Sequence, residues 1–284
     1  MSDKTPGASL TRLVQVMDRL LAEDGCPWDR EQTLHSLKRY AVEEAFEVCD
    51  AIDGLGDDAH RNVTQPVGVR PADDPAVAHH REELGDLLFQ VVFQSGLTSR
   101  FGWFGIDAVV GDIADKLERR HPHVFAGETV GDAQAVIANW ERLKLKEKAG
   151  RGALDGIPRA LPALLYALRM GEKAARVGFD WQDPAGPRAK ITEELSELDR
   201  ACEAGDADAI RHELGDLLFS VVNLARKLGV DPEDALSATN KRFAARFRGV
   251  EARARADGRA LSEHTLEELD AYWEAAKADE RGTS

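Results

Sequence analysis

Apolar side chains along this chain recur every three or four residues, and no stretch alternates as a half-buried strand would. Leu10, Leu13, Val14, Met17, Leu20 and Leu21 fall on one stripe of a helix expected over residues 10–21. Leu34, Leu37, Ala41, Ala45, Val48 and Ile52 do the same over 34–52. Helices are also expected at 80–99, 106–120 and 132–148, then at 160–176, 187–204, 207–228, 232–247 and 264–279. Asp231-Pro232 reads as an N-cap followed by proline at the first helical position. Thr265 with Glu268 reads as a capping box. Two segments rich in Gly, Asp and Pro break the pattern: a long loop at 54–76 and a linker at 149–158. The expected fold class is all-α.

The pattern occurs twice. Glu43-Glu44-x-x-Glu47 returns as Glu193-Glu194-x-x-Glu197, and Glu83-Leu84-Gly85-Asp86-Leu87-Leu88-Phe89 returns as Glu213-Leu214-Gly215-Asp216-Leu217-Leu218-Phe219. Lys116 and Arg120 return as Arg242 and Arg246; Trp140-Glu141 and Lys144 return as Trp273-Glu274 and Lys277. Trp28-Asp29 has a looser echo in Phe179-Asp180-Trp181. Four blocks in the same order predict a tandem repeat of one carboxylate-rich helical bundle, with domains at about 1–150 and 151–284.

Charge changes the picture more than composition does. Of 284 residues 51 are acidic and 37 are Lys or Arg, giving a formal charge of −14. That balance argues against nucleic acid as a partner, since such binders need a basic face. Apolar runs such as Leu87-Leu88-Phe89 are too short to span a membrane, and no basic-then-apolar leader begins the chain. Cys26, Cys49 and Cys202 form no C-x-x-C and are odd in number, so buried free thiols in a reducing cytoplasm are expected.

Some of the acid is organised. Glu44 and Glu47 share a helix face, as do Glu83 and Asp86. Glu44 lies between Ala41 and Val48 of the apolar stripe, and Glu83 one turn before Leu87, so these carboxylates stand at or beside the core-facing side. Carboxylates converging there repel one another and lose solvation, and a divalent cation removes both costs. Oxygen ligands suit Mg²⁺, with Mn²⁺ as the alternative. Iron sites in helical bundles use Glu-x-x-His pairs, and no histidine occupies the ligand places here. One Glu-x-x-Glu alone would be an ordinary solvated face; two linked pairs repeated in both halves are not.

Lys116 with Arg120, and Arg242 with Arg246, align cations suited to polyphosphate oxygens, although a basic helix end would look the same. Trp140 with Lys144, or Trp273 with Lys277, can offer a ring and a cation to a nucleotide. His121-Pro122-His123 occurs in the first copy alone and reads as a helix terminator with surface histidines.

In these blocks, together with Cys26-Pro27-Trp28-Asp29, Lys116–Phe125 and Val177-Gly178-Phe179-Asp180-Trp181, the chain resembles the MazG family of nucleoside triphosphate pyrophosphohydrolases over nearly its whole length. The resemblance implies an all-α bundle, a homodimer, and Mg²⁺-dependent hydrolysis of NTPs or dNTPs to monophosphate and pyrophosphate. It implies metal ligands at Glu194, Glu197, Glu213 and Asp216, and at Glu44, Glu47, Glu83 and Asp86 in the first copy. Arg242, Arg246, Trp273 and Lys277 match nucleotide-contacting positions, Arg242 replacing a lysine common there. Glu193, with Glu43 as its counterpart, is the candidate to orient or deprotonate the attacking water.

There are two departures. Fifteen residues separate Glu197 from Glu213, but thirty-five separate Glu47 from Glu83, which casts the N-terminal copy as the weaker site. His212 stands where the first copy has Glu82. The competing readings are a non-catalytic nucleotide sensor built on the same blocks and a purely structural helical scaffold.

Overall fold

The computed structural model describes residues 6–65, 70–127, 136 and 152–282. The helix expected at 132–148, with Trp140 and Lys144, lies outside the described residues, as does 149–151 of the linker. Every regular element among the described residues is helical. The chain divides into two compact units, Met1–Glu147 and Lys148–Ser284.

The first unit contains α1 (Pro6–Leu20), α2 (Pro27–Glu31), α3 (Leu37–Asp53), a 3₁₀ turn (Gly56–His60), α4 (Pro75–Arg100), α5 (Ile106–Arg120) and α6 (Pro122–Phe125). Helix α4 is its axis and packs against α3, α1 and α5. Met17, Leu21, Leu37, Val92, Phe93 and Leu97 form the buried core, flanked by Leu10, Leu13, Val14, Leu20 and Leu34. The α1 stripe expected from sequence therefore faces inward. The α3 stripe does so only in part: Leu37 and Val48 are buried, whereas Ala45 and Ile52 are exposed, because α4 covers one side of α3 alone.

The second unit contains α7 (Ala163–Arg176), α8 (Ala185–Ala204), α9 (Ala207–Lys227), α10 (Pro232–Ala256), a 3₁₀ turn (Leu261–Glu263) and α11 (Leu266–Gly282). Helices α8 and α9 form the most extensive pair; α7 packs on α9 and α10, and α11 on α10. Leu168, Ala201, Val222, Val250, Ala254 and Ala276 are buried.

Several boundaries follow from local chemistry. Asp74 accepts from the backbone N–H of Ala76 (3.0 Å) and Val77 (3.2 Å), with Pro75 at the first helical position. Helix α4 thus starts five residues before the expected 80, inside the supposed loop. Asp231 caps α10 through Glu233 N–H and Asp234 N–H as expected, and the Thr265–Glu268 capping box forms. Helix α10 runs to Ala256 rather than 247, since Val250 and Ala254, four apart, continue its buried stripe beneath an arginine-rich outer face.

Two expectations are corrected. Cys49 and Cys202 are exposed and Cys26 is half-buried, because Cys49 and Cys202 each follow the buried residue of their turn, Val48 and Ala201. His121 and His123 are partly buried rather than surface residues, with ring centroids 5.6 Å apart.

The two units join their acidic helices differently. Only Gly205 and Asp206 separate α8 from α9, and Gly205 sits in the left-handed region at φ 67°. A Cβ at Gly205 would meet nothing within 4 Å, so only backbone strain opposes a side chain there. Gly205→Ala should cost about 1 kcal/mol, read as a lower urea midpoint with an unchanged slope.

Candidate functional site

The α8–α9 hairpin sets the two acidic blocks of the second unit opposite each other. Carboxylate oxygens of Glu194, Glu197 and Glu213 lie within 4.8 Å of one another. Glu194 is only 3% exposed. Its charge is met by Lys190, one turn earlier on α8, whose Nζ lies 2.5 Å from Glu194 Oε1 and 3.0 Å from Glu193 Oε1. These bonds, first to Glu194 and then to Glu193, raise the affinity of Lys190 for its proton. Glu193 is itself exposed and outside the cluster. Asp216, half exposed, turns toward His212, whose Nδ1 is 3.3 Å from Asp216 Oδ2 and 3.6 Å from Glu213 Oε1. Sequence spacing kept histidine out of the ligand places, yet His212, Glu213 and Asp216 form a second trio with donor atoms within 4.8 Å.

In the first unit Glu44, Glu83 and Asp86 converge, their donor atoms also within 4.8 Å. Glu47 and Glu43 are exposed, and Glu47 falls outside that trio. Tyr40 stands where the second copy has Lys190. Burial, and then the charges of Glu47 and Asp86, hold the Glu44 carboxyl above its usual range; the amide of buried Gln90, 3.5 Å away, opposes this only in part. His79 Nδ1 lies 3.2 Å from Glu83.

The donors fit a hard divalent cation. All six residues of the two carboxylate trios offer oxygen, at a separation one ion can bridge. In the second unit an ammonium already sits on the most buried acid, and in the first unit an acid with no such cation has its ionisation suppressed.

The basic residues of the second unit are held by neighbours on α10 and α11. Arg242 donates to Thr239 Oγ1 (2.9 Å), Arg246 pairs with Glu280 (2.9 Å), and Lys277 pairs with Glu274 (2.8 Å). The Arg246 guanidinium lies over Trp273 at 5.8 Å, and Phe243 packs on the same ring at 5.1 Å. Lys116 borders a shallow hollow with Phe104 and Ile113, and Arg120 is buried.

Sequence reasoning missed a cavity of about 510 Å³ in the second unit. Phe179, Trp181 and Phe219 supply rings to its wall, and Asp180, Asn223 and Arg226 polar groups. Phe219 follows Asp216 by three residues on α9, so this ring of the cavity wall stands about one helical turn from Asp216. Gly186 lets the chain pass against Trp181, since a Cβ there would lie 2.1 Å from the indole. Asp180 is clamped by Arg226 (2.5 and 3.1 Å) and Lys227 (2.7 Å).

Residues 32–125 and 182–250 match the MazG nucleotide pyrophosphohydrolase domain. The chain belongs to this family. It is similar to the nucleoside triphosphate pyrophosphohydrolase/pyrophosphatase MazG of Thermotoga maritima, at 42% identity covering 96% of this chain and 98% of the relative. An Escherichia coli protein named nucleoside triphosphate pyrophosphohydrolase is 40% identical, covering 95% and 98%. A Mycobacterium tuberculosis protein of the same name is 30% identical, covering 99% and 74%. The two matched segments carry one acidic pair of blocks each, as a MazG domain repeated in tandem requires.

In this MazG chain the Asp180 clamp fixes the rim of the cavity. Hydrogen bonds from Arg226, then Lys227, hold the Asp180 carboxyl well below the ordinary range, against the opposing effect of burial. A depressed carboxylate adds stability that is present above the unfolded-state value near pH 3.9 and is lost as pH falls toward the folded-state value. Asp180→Asn should lower stability by about 2 kcal/mol at pH 7, as it leaves two mostly buried cations without their anion. Urea titrations should show that difference shrinking below about pH 4.

Proposed function

We propose that the chain hydrolyses nucleoside triphosphates, ribo- or deoxy-, to the monophosphate and pyrophosphate in a Mg²⁺-dependent reaction. The observation that carries this reading is the convergence of Glu194, Glu197 and Glu213, with Asp216 one turn further along α9 and three residues before Phe219 of a ring-lined cavity. The polar end of the substrate would face the acids and its base the rings. Glu194, Glu197, Glu213 and Asp216 would hold Mg²⁺, with Mn²⁺ as a substitute, and Glu44, Glu47, Glu83 and Asp86 would do so in the first unit. When bound, the ion supplies charge neutralisation on phosphate oxygens and acidifies water.

The chain's own groups do the rest. Glu193 orients the attacking water and accepts its proton, positioned by Lys190. Glu43 is its counterpart. Arg242, Arg246 and Lys277 neutralise the leaving pyrophosphate, and Trp273 keeps the Arg246 guanidinium in place. Lys116 and Arg120, with Trp140 and Lys144, are the corresponding groups of the first copy.

The protein works as a homodimer in the cytoplasm. Leu84, Leu88 and Val91 are all exposed, and so are their counterparts Leu214, Leu218 and Val221. An uncovered apolar stripe at i, i+4 and i+7, present in both units, is suited to a second copy. No helix among the described residues is long and apolar enough to cross a membrane.

Purified protein with Mg²⁺ should release pyrophosphate and monophosphate from NTPs and dNTPs; diphosphate with orthophosphate as first products would overturn the reading, and binding without turnover would favour a sensor. Mg²⁺ should also raise the melting temperature, and Glu213→Gln with Asp216→Asn should reduce that rise.

The second unit is expected to carry most of the turnover. Its trio centres on the buried Glu194 and its acidic helices are joined by two residues, whereas residues 54–74 intervene in the first. Glu194→Gln with Glu197→Gln should lower the pyrophosphate rate at least tenfold, and Glu44→Gln with Glu47→Gln about twofold or less, after circular dichroism confirms the fold of each. The opposite ranking would reverse the assignment.

A further inference from the structure

The two copies differ in how many trios their acids form. Among the described residues of the first unit a single carboxylate trio converges. In the second, Glu213 belongs to two: an all-oxygen trio with Glu194 and Glu197, and a mixed trio with His212 and Asp216. Among the described residues His212 is the one side chain whose nitrogen lies within 4 Å of both Glu213 and Asp216. The all-oxygen trio is different, since Lys190 already contacts it.

We infer that His212 is a metal ligand, and that with Glu213 and Asp216 it forms a nitrogen-containing position that favours Mn²⁺, Co²⁺ or Zn²⁺ over Mg²⁺. This rests on the proposed function in one respect, namely that Glu213 and Asp216 face a cation.

Three features support the assignment. His212 and Asp216 are four apart on α9, a spacing that sets two donors on one helix face and lets them chelate. The ring already turns Nδ1 toward both carboxylates, at 3.3 and 3.6 Å, so little rearrangement is needed. The imidazole nitrogen is a borderline donor, best matched to Zn²⁺ and Co²⁺; Mn²⁺, though it too favours oxygen, stands above Mg²⁺ in accepting a nitrogen beside carboxylates. In the first copy the same place holds Glu82, exposed and outside the carboxylate trio, and His79 there meets Glu83 alone, so the two sites should differ in metal preference. The competing account makes His212 a surface counter-charge. Its side chain is 73% exposed, and an exposed pair of that kind contributes little and does not discriminate among divalent ions.

The test uses full-length protein and Mn²⁺ as a paramagnetic probe. Pulsed EPR of the Mn²⁺-loaded protein should show coupling to a directly bound imidazole ¹⁴N, and His212→Gln should abolish it. Titration should show Mn²⁺ and Zn²⁺ binding weakened about tenfold or more in His212→Gln, with Mg²⁺ binding changed by less than about threefold. His212→Glu, which copies the first unit, should lose the ¹⁴N coupling and narrow the preference for Mn²⁺ over Mg²⁺. Exposure of the ring means that both variants should fold, as checked by circular dichroism. Mn²⁺ bound without ¹⁴N coupling, or equal weakening of Mn²⁺ and Mg²⁺ in His212→Gln, overturns the assignment of His212 alone. Mn²⁺ affinity that is the same in wild type and in Glu213→Gln with Asp216→Asn overturns the metal reading of the proposed function as well.

Discussion

Everything in each unit answers to one electrostatic constraint: acids on two antiparallel helices are brought within a few ångströms of each other. Two carboxylates 4.8 Å apart repel by about 3–4 kcal/mol at an effective dielectric constant of ~20. That is a large fraction of a domain's net stability. The second unit offsets it with Lys190, one turn from Glu194 on the same helix. The first unit has Tyr40 there, and burial, then the charges of Glu47 and Asp86, hold the Glu44 carboxyl above its usual range. The same geometry thus has two electrostatic solutions, and in both the packing of a helix pair holds charges together that would otherwise separate.

That packing is economical in apolar burial. Among the described residues of the first unit six form the contiguous buried cluster, while Leu84, Leu88, Val91, Trp103 and Phe104 stay exposed. The second unit exposes Leu214, Leu218 and Val221 on the other side of the helix that carries Glu213 and Asp216. Helix α9 therefore has one face for charge and another that is apolar and uncovered; in the proposed dimer a second copy would clamp the acidic pair from behind.

Much of this was legible in the chain itself. Period and caps located most helices to within a few residues, because Asp231-Pro232 and Thr265–Glu268 carry their signals locally. The repeat gave the pairing of acidic blocks, since matched motifs fix which helices must meet. The start of α4 was hidden, as Asp74-Pro75 sits in a run of Gly, Asp and Pro that reads as loop. Lys190 could have been found from its spacing of four to Glu194. The Asp180–Arg226–Lys227 clamp could not, because its partners are 46 and 47 residues apart and no pattern marks them. The first copy has Gly96 and Leu97 at the matching places, so the repeat gave no hint either.

The length of the connection between the acidic helices also governs the order in which the sites assemble. Two residues join α8 to α9, whereas residues 54–74 intervene between α3 and α4. Closing the longer connection costs about 2 kcal/mol more in chain entropy, at roughly 0.6 kcal/mol for each doubling. The C-terminal hairpin is a local contact and can form as soon as its own residues are free to pair. The N-terminal pair must wait for other parts of its unit, chiefly the core that α1 and α4 share, to hold α4 in place. In a chain made from its N-terminus, the site that emerges last is therefore the one built to close first.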